Sequence, residues 1–116
     1  MNWFGNTQLP NNAEGIGDPA TAMDDEGNGY ILAVNYAEDG YGIQRTTDKG
    51  INWQDQIVLH GLTLQSYFDK PMLAVDNLSS SPYHKNIYVA WSDLFASRSV
   101  SFNRSTNQGK HSQTQL

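Results

Sequence analysis

The sequence predicts an all-β chain made of two consecutive four-stranded antiparallel units, the second incomplete. Three observations carry this reading. An ordered set of motifs occurs twice, apolar residues follow a period of two between turn signals, and the composition suits a turn-rich β protein better than a helical one. Of the 116 residues, 16% are charged, 11% aromatic and 38% hydrophobic, and Gly, Asn, Ser and Thr are plentiful. That balance suits a turn-rich β protein.

The repeat is read in three blocks. Pro19-Ala20-Thr21-Ala22-Met23-Asp24 has the form P-x-x-A-x-D, and Pro71-Met72-Leu73-Ala74-Val75-Asp76 repeats it 52 residues later. An acid leads into each copy, Asp18 directly before its proline and Asp69 two residues before. Asn28-Gly29-Tyr30-Ile31 then matches Asn86-Ile87-Tyr88-Val89 at an offset of 58. The extra residues fall in 77–85, a loop by composition. Ile43 to Gly50 matches Phe102 to Gly109 at an offset of 59. The repeat units span about 10–60 and 61–116 of a single continuous domain.

Alternation places strands at 20–23, 30–35, 42–46 and 56–59 in the first unit. In the second unit they fall at 72–75, 87–91 and 100–104, and the fourth is missing or stunted. Turns rich in Gly, Asp and Asn separate them, at 25–29, 37–40 and 48–50. Four short strands per unit of about fifty residues is the pattern of a propeller blade.

Thr46-Thr47-Asp48-Lys49-Gly50-Ile51-Asn52-Trp53 has the form [S/T]-x-D-x-G-x-x-W. The Asp48 carboxylate can accept backbone N–H bonds inside its own turn, and the Thr46 hydroxyl can add another. Gly50 permits a positive φ, and Trp53 is expected to bury its ring between adjacent sheets. The second copy runs through Ser105, Asn107 and Gly109, with Asn107 for the Asp and Ser112 for the Trp. Met1-Asn2-Trp3 looks like the tail of an earlier copy.

This motif is an Asp-box, and with it the chain resembles the BNR-repeat, sialidase-like β-propeller family. The resemblance runs from about Gly17 to Gly109, through D-K-P-x-L-A-V-D at 69–76 and S-P-Y-x-x-N-I-Y-V-A-W at 81–91. It implies part of an exo-α-sialidase-type glycoside hydrolase, at the cell surface or outside the cell. Its partners would be glycans or sialoglycoconjugates, and no cofactor is implied. Sialidases of this architecture clamp the substrate carboxylate with three arginines and use a Tyr–Glu nucleophile pair and an Asp acid/base.

The arginines here are Arg45, Arg98 and Arg104, and Arg45 and Arg104 occupy one repeated place on the third strand. A position set by the repeat is more simply structural than catalytic. No catalytic residue is therefore assigned, and the chain alone is expected not to turn over. Asp18 and Asp69 precede the innermost strands, where a closed ring would expose them at its mouth. They are the substrate-contact candidates, against a plain strand-start turn with proline fixing φ. A non-catalytic glycan- or protein-binding propeller, or a structural scaffold, is the alternative.

Other patterns exclude functions. A formal charge of -5, from 7 Lys plus Arg against 12 Asp plus Glu, leaves no basic stripe for nucleic acid. No apolar run is long enough to span a membrane as a helix. The chain has no Cys, and His60, His84 and His111 lack ligand spacing, so no metal is expected. Asp24-Asp25-Glu26-Gly27-Asn28-Gly29 opens like a calcium loop, but its twelfth position is Asn35. A hairpin turn is the favoured reading. Propellers close with four to eight blades, so two are expected to belong to a longer reading frame or a truncated product. The missing partners would be the remaining blades, or further copies of the chain itself.

Overall fold

The computed structural model describes residues 16–35, 40–60, 68–94 and 99–110. Seven strands follow in chain order: β1 (Ile16–Met23), β2 (Gly29–Asn35), β3 (Gly40–Thr46), β4 (Ile57–His60), β5 (Phe68–Val75), β6 (Ile87–Asp93) and β7 (Ser99–Ser105). They form two antiparallel sheets, β1-β2-β3-β4 and β5-β6-β7, in which every strand pairs with its neighbour in sequence. All seven expected strands are present. In the second sheet no fourth strand occurs among the described residues.

β1 and β5 each begin four residues ahead of the expected start. The cause is shared. The register shifts between Gly17 and Ala20 in β1, and between Asp69 and Met72 in β5. Proline supplies no N–H to a ladder, and a bulge carries the strand past it. The residue before each proline, Asp18 or Lys70, stands in the left-handed region at φ 46° and 52°. That conformation costs a non-glycine residue about 1 kcal/mol or more.

Alternation decides the core. On β2, Tyr30, Leu32 and Val34 share one face, with Tyr41 and Ile43 of β3 and Leu59 of β4 beside them. Ile87, Val89 and Trp91 of β6 cover this face, and the nine side chains form one buried cluster. The Tyr41 and Trp91 rings meet at 5.4 Å, tilted by 58°, a favourable aromatic geometry. Each such large side chain contributes about 1.5–3 kcal/mol when buried. β5 lies against β1 and β2, so the equivalent first strands of the two units are neighbours.

The repeat has a consequence for the faces. The outer face of the second sheet carries Met72, Tyr88, Val100 and Phe102. These are the counterparts of Ala20, Tyr30, Tyr41 and Ile43, which the first sheet buries against the second. The surface that is covered once is therefore displayed a second time.

Candidate functional site

The Asp-box turn after β3 is closed from within. The Thr46 hydroxyl donates to Asp48 Oδ1 at 2.9 Å and accepts from Gly50 N at 2.9 Å. Asp48 in turn accepts from Asn52 N at 2.8 Å and Asn52 Nδ2 at 2.7 Å. These bonds from Asn52 hold the Asp48 carboxyl below the ordinary aspartate range. Lys49 and Gly50 both have positive φ, 63° and 87°, so the chain reverses within two residues.

After β7 the same turn recurs with an amide in place of the acid. Ser105 Oγ donates to Asn107 Oδ1 at 2.7 Å and accepts from Gly109 N at 2.8 Å, while Lys110 N donates to Asn107 Oδ1 at 3.2 Å. Gln108 and Gly109 repeat the positive φ pair at 59° and 72°. The turn needs an acceptor oxygen at this place more than it needs a charge.

The half-buried ring of Trp53 lies by Gly29 and Thr46, on the face of the first sheet turned away from the second. With Thr21, Met23, Ile31 and Lys49 it walls an open, mainly apolar cleft of about 790 Å³.

A second paired turn was legible as a motif but not as a device. Buried Asp24 accepts Glu26 N (3.0 Å), Asn28 N (2.9 Å), Asn28 Nδ2 (2.7 Å) and Tyr30 Oη (3.0 Å). Burial works to raise the Asp24 pKa, but the bonds from Asn28, Tyr30 and Glu26 prevail and lower it. Burial, helped by Asp24, pushes the Tyr30 phenol up to about 12. Asp76, the counterpart, accepts Ser81 Oγ at 2.7 Å and Leu78 N at 3.0 Å, which lowers its pKa too.

The backbone closes both turns identically. Asp24 N donates to Asn28 O at 3.0 Å and Asp76 N to Asn86 O at 3.0 Å. Gly27 N reaches Asp24 O at 3.0 Å, and Lys85 N reaches Asp76 O at 2.8 Å, from positive φ in each case. The calcium-like run is thus a hairpin whose first carboxylate is already occupied by four donors. Among the described residues no group of three or more His, Cys, Asp or Glu is placed to hold a metal ion.

A polar seam joins the two turns across the sheets. Asn77 Oδ1 accepts from Asp25 N, and Asn77 Nδ2 donates to Met23 O, both at 3.0 Å. His84 Nε2 meets Asp25 Oδ2 at 2.8 Å, and Lys85 Nζ pairs with Glu26 Oε1. That hydrogen bond to Glu26 raises the Lys85 pKa. On another part of the interface Arg45 Nη2 donates to Gln108 Oε1 at 3.1 Å, with its guanidinium 5.9 Å from the Tyr30 ring centroid.

The remaining candidates stand in unlike local settings. Exposed Asp18 sits in the β1 bulge as the counterpart of Lys70, and Asp69 is the counterpart of Gly17. The two acids are therefore not one repeated position. Asp69 Oδ1 accepts Lys70 N at 2.9 Å and lies 3.3 Å from Lys70 Nζ. Arg45 is engaged at the sheet interface, and Arg104 stands on the exposed outer face of the second sheet. Arg98, His111, Ser112, Met1-Asn2-Trp3 and most of the 37–40 turn lie outside the described residues.

Chemically, these sites hold turns. The lowered carboxylates stay ionised at neutral pH and spend their lone pairs on local donors, which suits them to fixing hairpins and not to giving up protons. No protein-family model, curated protein or solved structure matches the chain significantly. No helix is long and apolar enough to cross a membrane among the described residues.

Proposed function

We propose that this chain supplies two consecutive blades of a sialidase-like, BNR-repeat β-propeller. Its part in an exo-α-sialidase-type glycoside hydrolase is to build the scaffold, not to perform the reaction. One observation carries the reading: an Asp-box turn closes the third strand of each sheet with the same hydroxyl, oxygen and glycine bonds. The antiparallel meanders and the adjacency of β1 and β5 agree with neighbouring blades that share an axis. In such a ring the bulges at 17–20 and 69–72 would lie at the mouth, and Asp69 with Lys70 would meet the sugar, outside the cell or at its surface.

A second reading draws on the Trp53-walled cleft. Apolar walls with one aromatic ring and a few polar groups suit a non-catalytic glycan-binding module. Titrating sialyllactose into isotope-labelled chain separates the two. Shifts confined to the amides of the two bulges support the scaffold with rim contacts, and shifts around Trp53 and Ile31 support the binding module. No shift anywhere would remove both sugar readings. The purified chain is expected to release no fluorophore from a fluorogenic sialoside.

A further inference from the structure

We propose that copies of this chain associate head to tail, the outer face of the second sheet docking on the Trp53 side of the first sheet of another copy. The inference rests on the equivalence of the two sheets and stands whatever chemistry a ring of them would carry. Within one molecule, the second sheet presents Leu73, Val75, Ile87 and Val89 to Ala20, Tyr30, Leu32 and Ile43. The counterparts of the first set are Thr21, Met23, Gly29 and Ile31, which line the cleft. The counterparts of the second set are Met72, Tyr88, Ala90 and Phe102, on the outer face of β5–β7.

Both surfaces are open. Met72 is 70% exposed, Phe102 61% and Met23 63%. The Tyr88 and Phe102 rings stack at 6.0 Å, giving the donor face a flat aromatic patch. One molecule thus displays both halves of an interface that it already makes internally. Two different patches that complement each other define a heterologous contact, which propagates into a ring or an open chain of copies. Exposed apolar surface of this extent favours association.

Not every pair carries over. The counterparts of Asn77, His84 and Lys85 in the polar seam are Asp25, Glu26 and Gly27, and those of Tyr41 and Trp91 are Val100 and Ala33. Inside the molecule Arg45 donates to Gln108, whereas Arg104 of one copy would face Lys49 of the next. Two cations replace a hydrogen-bonded pair, so the contact between copies is weakened by repulsion and tightens as salt screens it. Lys49 tolerates exchange for Gln, because Gln108 holds the same left-handed backbone, φ 59° against 63°.

Sedimentation velocity over a concentration series tests this. Wild-type chain should self-associate, more tightly at high salt. Lys49→Gln should tighten association, and Lys49→Glu should tighten it about two- to fivefold while reversing the salt dependence. Phe102→Asp and Met23→Asp should each be monomeric alone, and an equimolar mixture should form a dimer, because one intact donor face meets one intact acceptor face. Four results would each overturn the proposal: a wild-type chain that stays monomeric throughout, unaltered salt dependence in Lys49→Glu, self-association of Met23→Asp, or a mixture that stays monomeric. The circular dichroism of every variant should match wild type, since the substituted side chains are exposed.

Discussion

Replacing Asp24 with Ala removes an acceptor that four donors share. Two of those donors, Asn28 Nδ2 and Tyr30 Oη, belong to side chains only 7% and 1% exposed, so water replaces the carboxylate poorly. A hydrogen bond to a charged group contributes about 1.5–3 kcal/mol, and a buried donor left without a partner costs about 1–3 kcal/mol. Partial rehydration of the Glu26 and Asn28 amides near the surface recovers some of this. The expected loss is about 3 kcal/mol, a large share of the roughly 5–15 kcal/mol that holds a domain together. In urea denaturation the midpoint should fall by about 1–2 M with little change in slope. Tyr30→Phe should cost about 1 kcal/mol in the wild-type background and clearly less beside Asp24→Ala, because the hydroxyl has then already lost its acceptor. A loss below about 0.5 kcal/mol, the range of an ordinary surface change, would refute the reasoning.

Acid should unfold the chain through the same carboxylates. Asp24, Asp48 and Asp76 all have folded pKa values below the ordinary 3.8, so their contributions are full above that pH and are lost as the pH falls through the lower folded values. Stability measured from pH 6 to pH 2 should drop mainly below pH 4, about 3.8 being the unfolded value, and Asp24→Asn should flatten the drop. Asn107→Asp should stabilise the second box by about 0.5 kcal/mol, since an ionised acceptor strengthens the Ser105 and Lys110 bonds, and a thermal melt reads the gain. Gly40→Ala should be strongly destabilising, because a Cβ there would stand 2.5 Å from the Leu59 carbonyl oxygen and push β4 off the sheet.

What the sequence revealed follows from which interactions are local. Strands such as β2 and β6 were legible because each is a short apolar run bounded by turn residues. The starts of β1 and β5 were not, because Asp18-Pro19 and Lys70-Pro71 read as strand breaks while a bulge carries the pairing past them. The hydroxyl–acid–glycine turn at 46–50 was legible in full, since all its bonds lie within a few residues. Asp24 was visible as a repeated residue, and its match to Asp76 held the clue to its capping role. Its calcium-like neighbours pointed elsewhere.

The seam of Asn77, His84 and Lys85 against Asp25 and Glu26 was beyond reach, because it exists only once the sheets have docked. The half-buried setting of Trp53, on a face that the second sheet does not cover, was beyond reach for a related reason. Its box fixes where the ring emerges, while the identity of the sheet that covers it depends on the order of docking.

Amide hydrogen exchange tests most directly that both sheets are one unit built twice. The informative pairs are Gly50 with Gly109, Asp24 with Asp76, and Gly27 with Lys85, each bonded alike in both turns. Protection factors within about tenfold in every pair are expected, a difference of roughly 1.4 kcal/mol in local opening. Strong protection of Gly50, Asp24 and Gly27, with Gly109, Asp76 and Lys85 exchanging at unprotected rates, would contradict the repeat.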